Sequence, residues 1–333
     1  TEKANDYIMA EMTLRDAITQ GLREAIQNDP KVFIMGEDIG AYGGPYAVTK
    51  GFLDEFGPDK IRDTPISESA IVGAGVGAAM GGERPVVELM TINFSLLAAD
   101  QIINHAAKMH YMSAGQYQVP LIIRTVTGGG AGLGATHSQS FEGFYASIPG
   151  LRVVFPSTPA DALGLLRTCF QEPNPILFCE HALLYGARGE VPEDDFRIPL
   201  GKARVARTGD AITVVSYGRM AHIALNAAKQ LAENGIEAEV IDLRTLSPLD
   251  LETVVASVQK THKCLVLEEA WKTGGFGAYL AQSVQEATFD ELDGPVIHIG
   301  GKDVPSPYAK NLEDLAIPNE QLVLDVLREQ CGV

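Results

Sequence analysis

Cysteine is scarce and scattered in this chain of 333 residues: Cys169, Cys179, Cys264 and Cys331 lie far apart and form no CxxC pair. That argues against a disulfide framework or a paired-thiolate metal knuckle and for reduced thiols in a cytosol-like compartment. Long apolar runs are missing as well. No stretch reaches the ~18 uncharged residues of a membrane span. The opening TEKANDYIMAEMTLRD has neither a signal-peptide apolar core nor the Arg- and Ser-rich character of a transit peptide. A bacterial cytoplasm is expected, with an organelle matrix or stroma as the alternative once a transit peptide has been removed. Positive charge is short too. Lys and Arg number 26 against 43 Asp and Glu, a net charge of −17. Such a balance argues against nucleic-acid binding and suits either a basic protein partner or solubility alone.

Several catalytic signatures are also absent. Without GxSxG a serine hydrolase lacks its nucleophile elbow. No HExxH or similar spacing joins the seven histidines into a metal site. The glycine-rich stretch Thr127–Gly134 (TGGGAGLG) has no following Lys and is not a GxxxxGK[ST] loop.

What is present is organised around Asp63–Phe94, DTPISESAIVGAGVGAAMGGERPVVELMTINF. Its centre, Ala70–Gly82, is uncharged and carries glycines at 73, 75, 77, 81 and 82. Each interior glycine costs a helix about 0.5–1 kcal/mol relative to alanine, so a helix here is thin for a reason, and close approach of another backbone, subunit or flat cofactor is that reason. Glu68 stands where this helix begins, before an apolar wall, as either a first-turn acid that caps the helix or a chemical group.

Elsewhere the pattern alternates. Thr13 caps a helix with apolar positions Leu14, Ala17, Ile18, Leu22, Ala25 and Ile26, which Asn28-Asp29-Pro30 ends. Strands are expected at Val32–Met35, Pro85–Met90, Val119–Val126, Arg152–Phe155 and Pro175–Cys179. Helices are expected at Ser95–Met112, Ser138–Ser147 and Pro159–Phe170. Such β/α alternation predicts a parallel sheet with helices on both faces. From Tyr185 to Arg204 the prolines and acidic residues break the period, marking a linker at 191–204 between domains 1–190 and 205–333. The second domain repeats the alternation, with strands at Ala211–Ser216, Ala238–Leu243, Lys263–Glu268 and Pro295–Ile299. The fold class is therefore α/β, with two doubly wound domains. Between strand and helix, Thr127–Gly134 is either a phosphate cradle or a flexible loop shaping a pocket mouth. His137 follows it, structural or catalytic, at the kind of junction where open α/β sheets place their sites.

GEDIGAYGGPY (36–46), DTPISE (63–68), ELMTINF (88–94), THSQS (136–140), LEEAWKTGGFGAYLA (267–281) and DVPSPYAKNLE (303–313) run in order through the chain. Together they resemble the β subunits of the thiamine-diphosphate-dependent first component of 2-oxo acid dehydrogenase complexes. The resemblance implies a transketolase-like fold, with a pyrimidine-binding domain followed by a C-terminal transketolase domain. It implies that Glu68 hydrogen-bonds the N1′ atom of the cofactor's aminopyrimidine, activating the thiazolium carbon for attack on the substrate keto group. A desolvated carboxyl suits that proton sharing. It further implies that Ile66 and Phe94 pack on the pyrimidine and that His137 stands at the active-site channel, assisting substrate binding or acyl transfer to a lipoyl arm. The family's monovalent-cation (K⁺) site falls on Leu121, Cys169, Phe170, Glu172 and Asn174, largely through backbone carbonyls.

Family enzymes bind the diphosphate through Mg²⁺ with a GDG motif, and no GDG occurs here. The resemblance therefore implies an α subunit that holds Mg²⁺ and the diphosphate in an α₂β₂ heterotetramer, and a dihydrolipoyl acyltransferase core with lipoyl and basic peripheral binding domains as a further partner. Pyruvate is the expected substrate, with a branched-chain 2-oxo acid or acetoin as alternatives. A non-catalytic assembly subunit is the reading of another class, and a one-chain transketolase-type enzyme would need the missing GDG segment.

Overall fold

The structure, a computed structural model, describes residues 9–333. Strand β1 (Met9–Thr13) leads into helix α1 (Leu14–Asn28). As expected, Thr13 caps it: its Oγ1 accepts from the Asp16 amide at 3.1 Å, and the Asp16 carboxylate accepts from Thr13 in return. There follow β2 (Val32–Gly36), α2 (Phe52–Phe56), β3 (Ile61–Asp63), α3 (Glu68–Met80) and β4 (Arg84–Leu89). After a broken helical segment come α4 (Ala107–Met112), β5 (Ile122–Thr127), α5 (Glu142–Ala146), β6 (Arg152–Val154), α6 (Pro159–Cys169), β7 (Ile176–His181) and β8 (Arg188–Pro192). The C-terminal half contains β9 (Arg204–Arg207), β10 (Ile212–Ser216), α7 (Arg219–Ala232), β11 (Ala238–Asp242), β12 (Thr245–Ser247) and α8 (Leu251–Thr261). It continues through β13 (Cys264–Trp271), α9 (Phe276–Ala287), β14 (Ile297–Gly301), α10 (Lys310–Ala316) and α11 (Glu320–Cys331).

The larger sheet has seven strands in the order β12-β6-β7-β5-β4-β2-β3, and the smaller has five in the order β14-β13-β10-β11-β9. Each is parallel apart from one antiparallel edge strand, β12 or β9. Edge strand β12 belongs by sequence to the C-terminal half yet completes the N-terminal sheet. One apolar core runs between the halves, joining Val153, Phe155 and Leu177 to Val215, Ile241 and Leu246. The expected linker 191–204 begins inside β8, which pairs with β1, and ends as β9 starts. Between them Phe196 and Ile198 pack on the core beside α6, and the Ile198 amide donates to the Gly164 carbonyl.

Two departures from the sequence reading have local causes. The single helix expected over Ser95–Met112 is a 3₁₀ segment (Ile92–Ala98), a π segment (Gln101–Ala106) and then α4. The Ser95 hydroxyl donates back to the Ile92 carbonyl and accepts from Tyr145 Oη, so side chains compete with the α-helical ladder where the segment leaves β4. The thin helix α3 is also close-packed on one side only. A Cβ at Gly75 would sit 2.7 Å from Val87 Cγ1, which is why that position must be glycine for α3 to lie on β4, whereas at Gly77 nothing lies within 4 Å.

Candidate active site

The carboxyl ends of β2, β4, β5 and β7 all open on one side of the larger sheet, the side on which α3 begins. Pro65 disfavours helical backbone at Thr64, so the chain leaves β3 extended and enters α3 only at Glu68. Glu68 is just 6% exposed. Among the described residues its carboxylate accepts no hydrogen bond and makes no ion pair, and it does not cap its own helix. A second carboxyl, Glu37 at the end of β2, is raised above the ordinary carboxylate range by partial burial and by the negative charges of Asp38 and Glu68. Asp63 fastens that loop by accepting from the Gly40 amide at 2.6 Å. Ile66, two residues ahead of Glu68, is 75% exposed, an apolar side chain presented at the mouth.

Phe94, in the segment after β4, and His137, in the loop after β5, meet each other. Their rings lie 5.3 Å apart, edge to face, at 82°. His137 Nδ1 is 2.9 Å from Thr136 Oγ1, and the ring is otherwise exposed. A network the sequence did not reveal holds the two together. Asn93 Oδ1 accepts from both the backbone and the side-chain amide of Gln139, at 3.2 and 2.8 Å, while Asn93 Nδ2 donates to Thr91 Oγ1 at 2.6 Å. Thr127 Oγ1 donates to Glu142 Oε2 at 2.6 Å, and burial pushes the Glu142 carboxyl up to about 7. Beside His137 a cleft of about 560 Å³ opens between the halves, walled by Thr136, Gln139, Trp271, Thr273, Val304 and Pro305.

The glycine-rich loop is rigidly held. Gly128, Gly130, Gly132 and Gly134 all take positive φ, between 69° and 93°, which only glycine adopts readily. Its amides are taken by two carboxylates of the C-terminal half. Gly129 donates to Glu269 Oε1 at 2.7 Å; Gly130 and Gly132 donate to Glu313 at 2.9 and 3.0 Å. The concavity that could cradle a phosphate is thus filled by this chain's own side chain, as successive backbone N–H groups favour. His181, for which the sequence shows no metal-ligand spacing, is buried and donates from Nε2 to Glu269 at 3.1 Å while its Nδ1 accepts from the Leu183 amide. Burial disfavours charge on Glu269, but His181, Arg219 and the Gly129 amide outweigh it and hold the carboxyl below the ordinary range.

The positions matched to a monovalent-cation site lie together at the start of the strands, far from Glu68 along the sheet. The Leu121 carbonyl accepts from the Ile176 amide, the Cys169 carbonyl from Glu172, and the Phe170 carbonyl from Arg84 Nη1 at 2.7 Å. Glu172 Oε1 accepts from the Asn174 backbone amide at 3.3 Å. Among the described residues no group of three or more His, Cys, Asp or Glu side chains is arranged to hold a metal ion.

The two α/β halves are of the transketolase class, a pyrimidine-binding domain followed by a C-terminal domain. The family model "Transketolase, pyrimidine binding domain" matches residues 10–187, and "Transketolase, C-terminal domain" matches 201–323. A solved structure described as "Split gene transketolase, inactive beta4 tetramer" shares the fold, with a TM-score of 0.78 over 96% of this chain and 98% of that one, at 23% identity. Among curated proteins, the chain is 47% identical over 325 residues to the mitochondrial pyruvate dehydrogenase E1 component subunit beta-1 of Arabidopsis thaliana, covering 96% of this chain and 90% of that one. It is 44% identical over 323 residues to the pyruvate dehydrogenase E1 component subunit beta of Rickettsia bellii, covering 97% and 99%. The Rhizobium meliloti counterpart is 48% identical over 324 residues, covering 97% and 70%. The chain belongs to the family of pyruvate dehydrogenase E1 component beta subunits, components of thiamine-diphosphate-dependent oxidoreductase complexes.

Proposed function

We propose that this chain supplies the pyrimidine-binding half of a thiamine-diphosphate site whose diphosphate half, with Mg²⁺, belongs to an α subunit. The assembled α₂β₂ enzyme decarboxylates pyruvate oxidatively and transfers the acetyl group to a lipoyl group of the acyltransferase core. The observation that carries this reading is Glu68: a carboxylate almost wholly buried at the start of α3, with no partner among the described residues. A buried acid without a partner costs stability, and a ring nitrogen of the cofactor is a partner that offsets the cost. Once bound, thiamine diphosphate supplies the nucleophilic carbon and the electron sink for decarboxylation.

This chain's own residues do the rest. Glu68 shares a proton with the pyrimidine ring, and its burial at the start of α3 limits the access of water to it. Phe94 and Ile66 flank the ring. His137, exposed and edge-on to Phe94, stands where it can hydrogen-bond the substrate carboxylate or the incoming lipoyl thiol. Two features of the chain support a divided site: it has no GDG motif, and its glycine-rich loop is occupied by Glu313. The C-terminal half and the net charge of −17 suit contact with a basic peripheral binding domain. A monovalent cation would use the carbonyls of Leu121, Cys169 and Phe170 with the side chains of Glu172 and Asn174, stabilising the turn after α6. Among the described residues no helix is long and apolar enough to cross a membrane. The relatives include bacterial and mitochondrial proteins, and a bacterial cytoplasm or an organelle matrix is the setting proposed.

The test is co-purification of the tagged chain with its α subunit, followed by 2-oxo-acid-dependent dye reduction with thiamine diphosphate and Mg²⁺. Turnover with pyruvate, and not with a branched-chain 2-oxo acid or acetoin, supports the reading. Preference for another substrate keeps the mechanism and replaces the substrate, and a chain that purifies without a partner removes the divided site.

A further inference from the structure

We infer that Glu313, seconded by Glu269, is a positioning residue for His137, so that docking of the C-terminal half sets the geometry of an active site in the other half. The inference rests on the reading of His137 given above. The loop 128–139 is closed at its neck by the Gly128 amide donating to the Gln139 carbonyl, at 3.2 Å. Its body carries alternate glycines at positive φ, a backbone that no side-chain packing of its own fixes. Two carboxylates fix it from outside. Glu313, on α10 and with no exposed surface, spans the amides of Gly130 and Gly132; Glu269, at the end of β13, takes Gly129. Further along, the His137 amide donates to the Gly134 carbonyl, and Tyr308 packs against Gly134, where an added Cβ would lie 2.8 Å from its Cδ2.

The backbone that carries His137 is therefore held on one side by the Asn93–Gln139 bonds and on the other by a clamp from the C-terminal half. Glu313 accepts from two amides of the loop, and Glu269 divides its oxygens between the Gly129 amide and His181. Charge-assisted hydrogen bonds of this kind are about twice as strong as neutral ones, and preorganising a residue through a supporting shell is how sites keep it in register. Two of the motifs that carry the family resemblance, 267–281 and 303–313, contain these acids, although neither segment contains a residue expected at the site.

The experiment uses the α-containing holoenzyme with E313Q, H137A, the double variant E313Q/H137A and, in parallel, E68Q. In E313Q we expect amide exchange across 128–134 to quicken at least about tenfold, and kcat to fall about tenfold with KM for thiamine diphosphate unchanged. If Glu313 acts through His137, the double variant is no slower than H137A by more than about twofold, because coupled losses do not add. Losses that multiply in the double variant, or a quickened loop with unchanged kcat, overturn the clamp. Should E313Q fail to assemble, E269A, which removes the acceptor of the Gly129 amide, is taken through the same cycle with H137A. Full activity in E68Q sinks the parent reading and this inference with it; an inactive E68Q beside multiplicative losses sinks the clamp alone.

Discussion

Replacing Glu68 with Gln separates chemistry from architecture because the two predict opposite outcomes. As a first-turn acid, Glu68 gains about 0.3–1 kcal/mol from the dipole of α3, which the neutral amide forfeits. Against that, Glu68 is 6% exposed without a partner among the described residues, and its charge already burdens Glu37. Easing the repulsion on Glu37 offsets part of that loss. The sum places the Gln variant within about 1 kcal/mol of wild type. Its activity should fall by about 10²-fold or more, roughly 3 kcal/mol of barrier, since the amide cannot share a proton with the pyrimidine. The measurement is the thermal midpoint of the cofactor-free assembly with the α subunit, beside the pyruvate-dependent dye reduction of the same assembly loaded with thiamine diphosphate and Mg²⁺. An unfolding midpoint several degrees lower, with activity kept within about twofold, would make Glu68 a structural residue and refute the reasoning.

Three further outcomes are expected. The Glu142 carboxyl titrates at about 7 when folded against an ordinary 4.5, so the stability it contributes is complete below pH 4.5 and lost as pH rises through 7. E142Q should therefore gain on wild type between pH 5 and 8 by up to roughly 3 kcal/mol, read from urea midpoints, and a parallel pH dependence of the two proteins contradicts this. Arg124 on β5 is buried between Glu88 on β4, at 2.6 Å, and Glu180 on β7, at 2.7 Å, with Tyr185 Oη donating to Glu180. R124M strands two buried carboxylates and should cost about 3–5 kcal/mol, whereas a loss under about 1 kcal/mol would show that the acids simply take up protons. Replacing choline chloride with KCl should raise the thermal midpoint with saturation, a stabilisation of about 2.7 kcal/mol at a hundredfold excess over Kd, and E172A should abolish the rise. No difference between the salts dismisses the cation site.

The sequence by itself determined the α/β alternation, the helix cap at Thr13, and the start of α3 at Glu68, because each is written in residues close along the chain. The ordered motifs determined the family. Other things are legible only in three dimensions. The Ser95–Met112 period looked like one helix because apolar spacing does not distinguish ladders of different pitch, and the competing bond from Tyr145 to Ser95 comes from fifty residues away. A charged Arg124 inside an apolar strand becomes intelligible only when parallel pairing brings Glu88 and Glu180 to either side of it. The exchange of β12 between halves depends on an edge of β6 that is free to accept it. On sequence alone the glycine-rich loop is either a cradle or a pocket mouth. Tertiary structure decided it: Glu313 lies 183 positions beyond Gly130, and only the docking of two sheets through a shared apolar core brings that carboxylate to those amides.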